Sequence, residues 1–183
     1  MRAVLTVLSL LLLALPAQAR PWIVDPTGSR LEVGFSQGST AVTARFERFG
    51  ARIEFDPDAL DRSTVEVEVE LASFASGDAT RDGQAGSAEF LDIATSPVAT
   101  YRATRFLALG GDRYAVEGEL TLRGVTRPVA HEAEIVIDGE RATARGTVPL
   151  VRTDFGVGAR QFATGDTVGL EVLVTFEIQA RAG

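Results

Sequence analysis

The sequence predicts an all-β fold, a sandwich or closed barrel of about nine strands interrupted once by a helical segment. Three observations predict it. In Tyr114–Val129, YAVEGELTLRGVTRPV, the residues Tyr114, Val116, Gly118, Leu120 and Leu122 alternate with Ala115, Glu117, Glu119 and Thr121. That period of two is a half-buried strand, and Arg123-Gly124 supplies a turn into a second alternating run, so the centre of the chain reads as a long antiparallel hairpin. Val65, Val67, Val69 and Leu71 face one way while Glu66, Glu68 and Glu70 face the other. Turn signals recur at regular spacing, and the pattern breaks only at Ser76–Pro97, which is rich in Gly, Asp and Ala.

In chain order, Trp22–Asp25 and Arg30–Phe35 read as short strands separated by the turn Pro26-Thr27-Gly28. Thr40–Phe49 and Ala51–Phe55 read as the next pair, with Gly50 between them, and Asp56-Pro57-Asp58 as a turn. Within Ser76–Pro97, Ser87 is the expected N-cap of a short helix through Ala88-Glu89-Phe90-Leu91. Strands resume at Val98–Leu107, turn at Gly110-Gly111-Asp112, and run into the central hairpin. Asp138-Gly139 marks another turn before the strand Arg141–Val151. Thr153–Gly165 reads as a loop, and Val168–Ala180 closes the chain with Leu170, Val172, Val174, Phe176 and Ile178 on one face. Closure into a barrel leaves no exposed strand edge, and a barrel of about eight strands holds one small ligand.

The first nineteen residues are expected to lie outside this fold. Arg2 forms a short positive region, Ala3–Leu15 is apolar but too short to span a bilayer, and Ala17-Gln18-Ala19 is an A-x-A cleavage signal. Cleavage after Ala19 and export to a bacterial periplasm are expected, leaving residues 20–183 as one domain without stable membrane insertion. The chain has no cysteine, so packing rather than disulfides must supply its stability. Its formal net charge of -7 argues against nucleic acid and anionic membrane surfaces as partners. It has no Lys, which reads as a bias of genomic base composition.

Gly118–Val129, GELTLRGVTRPV, resembles the YceI family of bacterial lipid-binding proteins. Other pieces match in the same order: Trp22-Ile23-Val24-Asp25-Pro26 with Ser29; Phe46–Pro57, FERFGARIEFDP, which resembles a hairpin; Arg81-Asp82, Phe90-Leu91-Asp92 and Pro97, which resemble a helical insert; and Arg152–Gly158, RTDFGVG, which resembles the last loop. The resemblance spans the mature chain. It implies an extended, lipocalin-like antiparallel β-barrel of about eight strands beside a short helix. It also implies an apolar tunnel for a polyisoprenoid or other long-chain lipid. The chain departs from the family at Gln37-Gly38, where a His is common, and at Ala44, where a Gly is common. Members of the subtype it resembles occur beside or fused to b-type cytochromes.

Ten Phe against two Tyr and one Trp suit both a dry core and a greasy tunnel, and most of the Phe are expected in plain core packing. The aromatic residues expected to line a tunnel are Phe46, Phe49, Phe90, Tyr101, Phe106 and Phe155, which sit on or next to the matching segments. His131, the single histidine, falls on the more apolar face of its strand, either meeting a ligand or hydrogen-bonded within the core. Arg152 is either a bidentate partner for a diphosphate or carboxylate head group or half of an Arg–Asp pair pinning its loop. Arg123 and Arg127, which flank the turn at Gly124, either reach a head group or are exposed hairpin charges, and Arg81-Asp82 carries the same ambiguity. One His and no Cys leave little for a metal site, and no cofactor beyond a bound isoprenoid or fatty-acyl lipid is implied. No G-x-S-x-G elbow, P-loop or dinucleotide fingerprint is present, so a non-enzymatic carrier is the leading reading. The alternatives are a partner module of a membrane cytochrome, docking through the Glu66–Glu70 face, and a hydrolase built on His131. The ligand's length and head group, and the oligomeric state, are not encoded in any motif.

Overall fold

In the computed structural model, residues 19–183 are described, so the export signal lies outside the described residues apart from Ala19. Among the described residues the strands are β1 (Pro21–Val24), β2 (Arg30–Gln37), β3 (Thr40–Phe46), β4 (Phe49–Glu54), β5 (Thr64–Glu70), β6 (Phe74–Ala75), β7 (Val98–Gly110), β8 (Arg113–Leu122), β9 (Val125–Asp138), β10 (Arg141–Val151) and β11 (Glu171–Ala182). One short helix, α1 (Ala79–Ala85), stands beside them. All pairings between these strands are antiparallel, and the sheet closes on itself through β1 and β11 into an eight-stranded barrel.

Several of the eight walls are bent strands rather than straight ones. β1 and β2 both pair with β11, at Trp22↔Ala182 and at Val33↔Val174, so they form one wall interrupted at residues 25–29. β3 and β4 are likewise one wall. β4 pairs with β5 from Phe49↔Val69 to Glu54↔Thr64, and β3 reaches β6 at Phe46↔Phe74. The chain therefore does not reverse between Phe46 and Phe55, and the hairpin expected there is absent. Gly50 lies inside β4, paired with Glu68. The corner at Glu47-Arg48 is held from the neighbouring wall: the Glu47 N–H donates to Ser73 O (3.1 Å), the Arg48 N–H to Ser73 Oγ (3.0 Å), and the Glu70 N–H to Arg48 O (3.0 Å). The reversal comes later, in residues 55–63. With these joins the topology is an up-and-down meander.

The central hairpin is as long as its pattern requires, with ten residues in β8 and fourteen in β9. Its turn is tighter than a single glycine implies. Arg123 (φ 53°) and Gly124 (φ 72°) both take the left-handed region, the demand of a type I′ turn whose twist matches the flanking strands. Arg123 stays in this costly conformation because its guanidinium donates to Ala88 O (2.9 Å) and Phe90 O, tying the hairpin tip to the insert.

The helix is earlier than Ser87. Asp78 is the N-cap, its carboxylate accepting from the Arg81 N–H at 2.9 Å. Residues after Ser87 form successive turns instead: the Phe90 and Asp92 N–H groups both donate to Ser87 O. Ser87 organises the segment through its carbonyl, whereas the helix starts where a carboxylate is available.

Outside the barrel, the glutamate stripe of β5 is matched by arginines on its neighbours. Arg52 lies 2.9 Å and Arg102 3.6 Å from Glu66, and Arg48 lies 2.6 Å from Glu70. The face that the sequence presents as acidic is thus largely neutralised, by exposed pairs that solvent screens.

Candidate functional site

The inward face of the barrel does not close over a filled core. It encloses two apolar chambers of about 220 Å³ each. Leu31, Val69, Leu120, Leu150 and Val174 line both, so the chambers are adjacent across a waist of those five side chains. Together they reach the range of about 300–1,000 Å³ usual for small-molecule sites. The cavity exists because period-2 strands put one side chain in two inward, and this sequence makes that side chain aliphatic or aromatic on every wall.

The lower chamber is sealed by a plug. Trp22, Phe55, Phe106 and Tyr114 are all buried, with the Phe55 ring edge-on to Phe106 and Tyr114 at centroid distances of 5.4 Å. The Trp22 indole N–H donates to Phe55 O at 3.0 Å, so the plug carries no unsatisfied donor on its tryptophan. The upper chamber faces α1 and the turns after it. Its rim includes the exposed side chains Gln37 and Gln84, the half-buried Arg81, and Leu91.

The aromatic residues singled out from the sequence, with His131, Arg81 and Arg152, line this cavity, whereas Arg123 and Arg127 do not. Phe46, Phe90 and Phe155 line the upper chamber; Phe49, Tyr101, Phe106 and His131 line the lower. Nine of the ten Phe residues, all but Phe162, line one chamber or the other, and Phe55, Phe106 and Phe155 are at the same time members of the buried core clusters. Phe162 stacks on Phe90 from behind at 5.2 Å. Phe35, Phe55, Phe74 and Phe176 line the cavity beside the aromatic residues expected from the sequence. The alternation of β11 carries the signal for Phe176, but Phe74 sits in a two-residue strand whose place depends on β3, with no local signal.

His131 and Tyr101 form the polar spot of the lower chamber. The His131 Nδ1 is 3.2 Å from the carbonyl of Glu132, which can only accept, so Nδ1 carries the proton. Nε2 is then an acceptor, and the Tyr101 hydroxyl donates to it at 3.2 Å. Burial pushes the His131 imidazole below its ordinary value and the Tyr101 phenol up to about 12, so both are neutral near pH 7. Phe176 stands edge-on to His131 at 5.6 Å. Two glycines make room for the layer. A Cβ on Gly118 would lie 2.5 Å from the Tyr101 hydroxyl, and one on Gly146 would lie 2.6 Å from Phe176 Cζ. Among the described residues neither a carboxylate nor a serine hydroxyl bonds to His131, so these residues do not arrange it as the general base of a triad. Among the described residues no three His, Asp or Glu side chains converge as metal ligands.

Arg152 lies at the wall of the upper chamber but is only 4% exposed. Its Nε–H donates to Gly169 O (2.8 Å), Nη1 to Val157 O (2.7 Å) and Gly158 O (3.1 Å), and Nη2 to Val168 O (2.7 Å) and Phe162 O. All five guanidinium N–H groups are thereby used. Arg152 pins the loop through carbonyls, and not through Asp154; no N–H remains for a head group. Arg127 similarly donates to Asp154 O (3.2 Å). Arg123, Arg127 and Arg152 are fasteners of the lid-like segments 87–96 and 152–169.

The architecture defines a class: a closed antiparallel barrel, lipocalin-like in form, with an internal apolar cavity. The comparisons agree. The profile of the YceI-like domain matches residues 22–180, and the chain belongs to that family. A UPF0312 protein of Vibrio parahaemolyticus is 34% identical over 154 residues, covering 79% of this chain and 82% of its own. A UPF0312 protein of Azotobacter vinelandii is 33% identical, covering 85% of each chain. Among solved structures, BcnA of Burkholderia cenocepacia superposes with a TM-score of 0.82 at 27% identity, covering 85% of this chain and 98% of its own. A polyisoprenoid binding domain from Saccharophagus degradans shares the fold with a TM-score of 0.72 at 20% identity, covering 91% of this chain and all of its own.

Proposed function

We propose that this protein binds and carries a long-chain lipid, a polyisoprenoid or a fatty-acyl chain, inside the barrel. The observation that carries the reading is the two-chambered cavity. It is walled by Val, Leu, Ile and Phe, runs past a common waist, and is plugged at one end and rimmed by polar side chains at the other. A tail there gains about 0.8 kcal/mol per CH₂ removed from water, so affinity needs few polar contacts. Membership of the YceI-like family supports binding rather than catalysis, and the Saccharophagus degradans structure is described as a polyisoprenoid binding domain. We place the protein in the periplasm on the strength of its A-x-A leader. The pairing of Glu66 and Glu70 with arginines gives the alternative, docking to a membrane cytochrome through that face, no support.

The test is native mass spectrometry, with lipid extraction, of protein purified from its own host. A bound prenyl or acyl lipid is expected. A ligand-free protein that also refuses prenyl and acyl lipids added in excess overturns the reading.

A further inference from the structure

We propose that the cavity selects an anionic amphiphile, a long-chain carboxylate or phosphate, whose charged head is held at the rim by Arg81 while its tail runs down past the waist. This rests on the lipid-carrier reading and adds the head-group chemistry and the orientation.

The charge inventory of the cavity is the first ground. The chain as a whole is acidic, with a formal net charge of -7. Yet neither chamber has an Asp or Glu among its lining residues, while Arg81 and Arg152 both line the upper one. The permanent charge presented to a ligand is therefore positive, opposite in sign to the protein.

Donor accounting is the second. Four arginines stand near the upper chamber, and three are fasteners. Arg152 has every N–H committed to backbone carbonyls. Arg123 and Arg127 are tied to carbonyls of residues 88, 90 and 154. Arg81 differs. Its Nε–H donates to Gln37 Oε1 (3.0 Å) and one Nη1–H to Ser76 Oγ (3.1 Å), so three of its five N–H groups have no protein acceptor among the described residues. Arg81 forms no ion pair within 4.0 Å among those residues. Two carboxylates stand nearby without pairing directly with the guanidinium: Asp78 accepts the Arg81 backbone N–H, which holds its carboxyl below the usual value with the Arg81 charge adding to the effect, and Asp82 accepts the Ser76 N–H and hydroxyl.

Preorganisation is the third. Gln37 at the end of β2 and Ser76 beyond β6 hold the guanidinium from two directions, so the fork spans the rim instead of swinging in solvent. The three N–H groups left over, two on Nη2 and one on Nη1, are free to donate to the oxygens of a carboxylate or phosphate. Gln84, exposed on the same rim, contributes a further amide donor.

The experiment measures equilibrium binding of two matched pairs, palmitate with hexadecanol and farnesyl diphosphate with farnesol, to the wild type, Arg81→Gln and Gln84→Glu. At least one charged member is expected to bind about tenfold or more tightly than its neutral partner, the value of a charge-assisted hydrogen bond. Both variants are expected to erase that preference while leaving the neutral partner within about twofold. Which pair shows the preference distinguishes a carboxylate from a phosphate ligand. A wild type that binds charged and neutral members equally overturns the assignment of Arg81 and leaves the lipid barrel standing. So does a preference that survives in Arg81→Gln, or a variant that loses both members of a pair alike. A wild type that binds none of the four overturns both.

Discussion

The Tyr101 hydroxyl lies 3.2 Å from Nε2 of His131 on the wall of a chamber otherwise lined by apolar groups. The pair closes a short chain, Tyr101 O–H to His131 Nε2 and His131 Nδ1–H to Glu132 O, that satisfies the imidazole without charge. An uncharged histidine in that position keeps the cavity apolar.

This sets a pH dependence with a definite sign. Burial lowers the folded-state value of His131 below its ordinary 6.5. Between those two values the unfolded chain binds more protons than the folded one, so stability rises with pH across the window and is lost as pH falls through it. Above 6.5 the residue makes no pH-dependent contribution. Denaturant titrations of the wild type and His131→Gln at a series of pH values check this. The wild type is expected to lose more stability than the variant between about pH 7 and pH 5, where the remaining carboxylates affect both proteins alike.

Gly118 and Gly146 are read as spacers for the rings across the wall. Their alanine variants are expected to be overpacked: the new Cβ would also lie 2.7 Å from Arg102 O in the first and 2.8 Å from Glu132 O in the second, and backbone cannot swing away. Each is expected to cost about 1–3 kcal/mol, measured by chemical denaturation. Gly50, whose Cβ meets nothing within 4 Å, is the control, and Gly50→Ala is expected to lie within about 0.5 kcal/mol of the wild type.

Arg152 is expected to behave as a structural cation. Arg152→Met leaves five carbonyls without their shared donor, and a loss of at least about 1.5–3 kcal/mol follows from one charged hydrogen bond alone. Arg152→Lys restores the charge but offers three donors in place of the planar five, so it rescues only part of the loss. Limited proteolysis reads the local effect: cleavage within residues 153–169 is expected to appear first in both variants.

Much of the fold was legible because the strands obey local rules. Asp138-Gly139 ends β9 and opens the turn to β10, and Arg141–Val151 is the span of β10. What was not legible depends on partners distant in sequence. Nothing in Phe46–Phe55 reveals that Glu47 and Arg48 are held by Glu70 and Ser73, so two collinear strands resemble a hairpin. Asp78 and Ser87 are both competent caps; the helix starts at Asp78, whose carboxylate accepts the Arg81 N–H, while Ser87 acts through its carbonyl. The candidate site was legible as a set of inward residues, since alternation alone places His131 and Val129 on one face. It was not legible as chemistry: whether an arginine is a fastener or a ligand contact depends on carbonyls from residues 157–169 or on Gln37, none of which share its local pattern.

The central claim is that one continuous apolar cavity holds a lipid tail, and blocking its waist tests this directly. Val174 lines both chambers, so Val174→Trp fills the passage between them. Native mass spectrometry after incubation with farnesyl diphosphate or palmitate is the measurement, with circular dichroism confirming that the variant keeps its fold. A one-to-one lipid adduct is expected on the wild type and little or none on the folded variant. No adduct on the wild type, or equal adducts on both proteins, contradicts the claim.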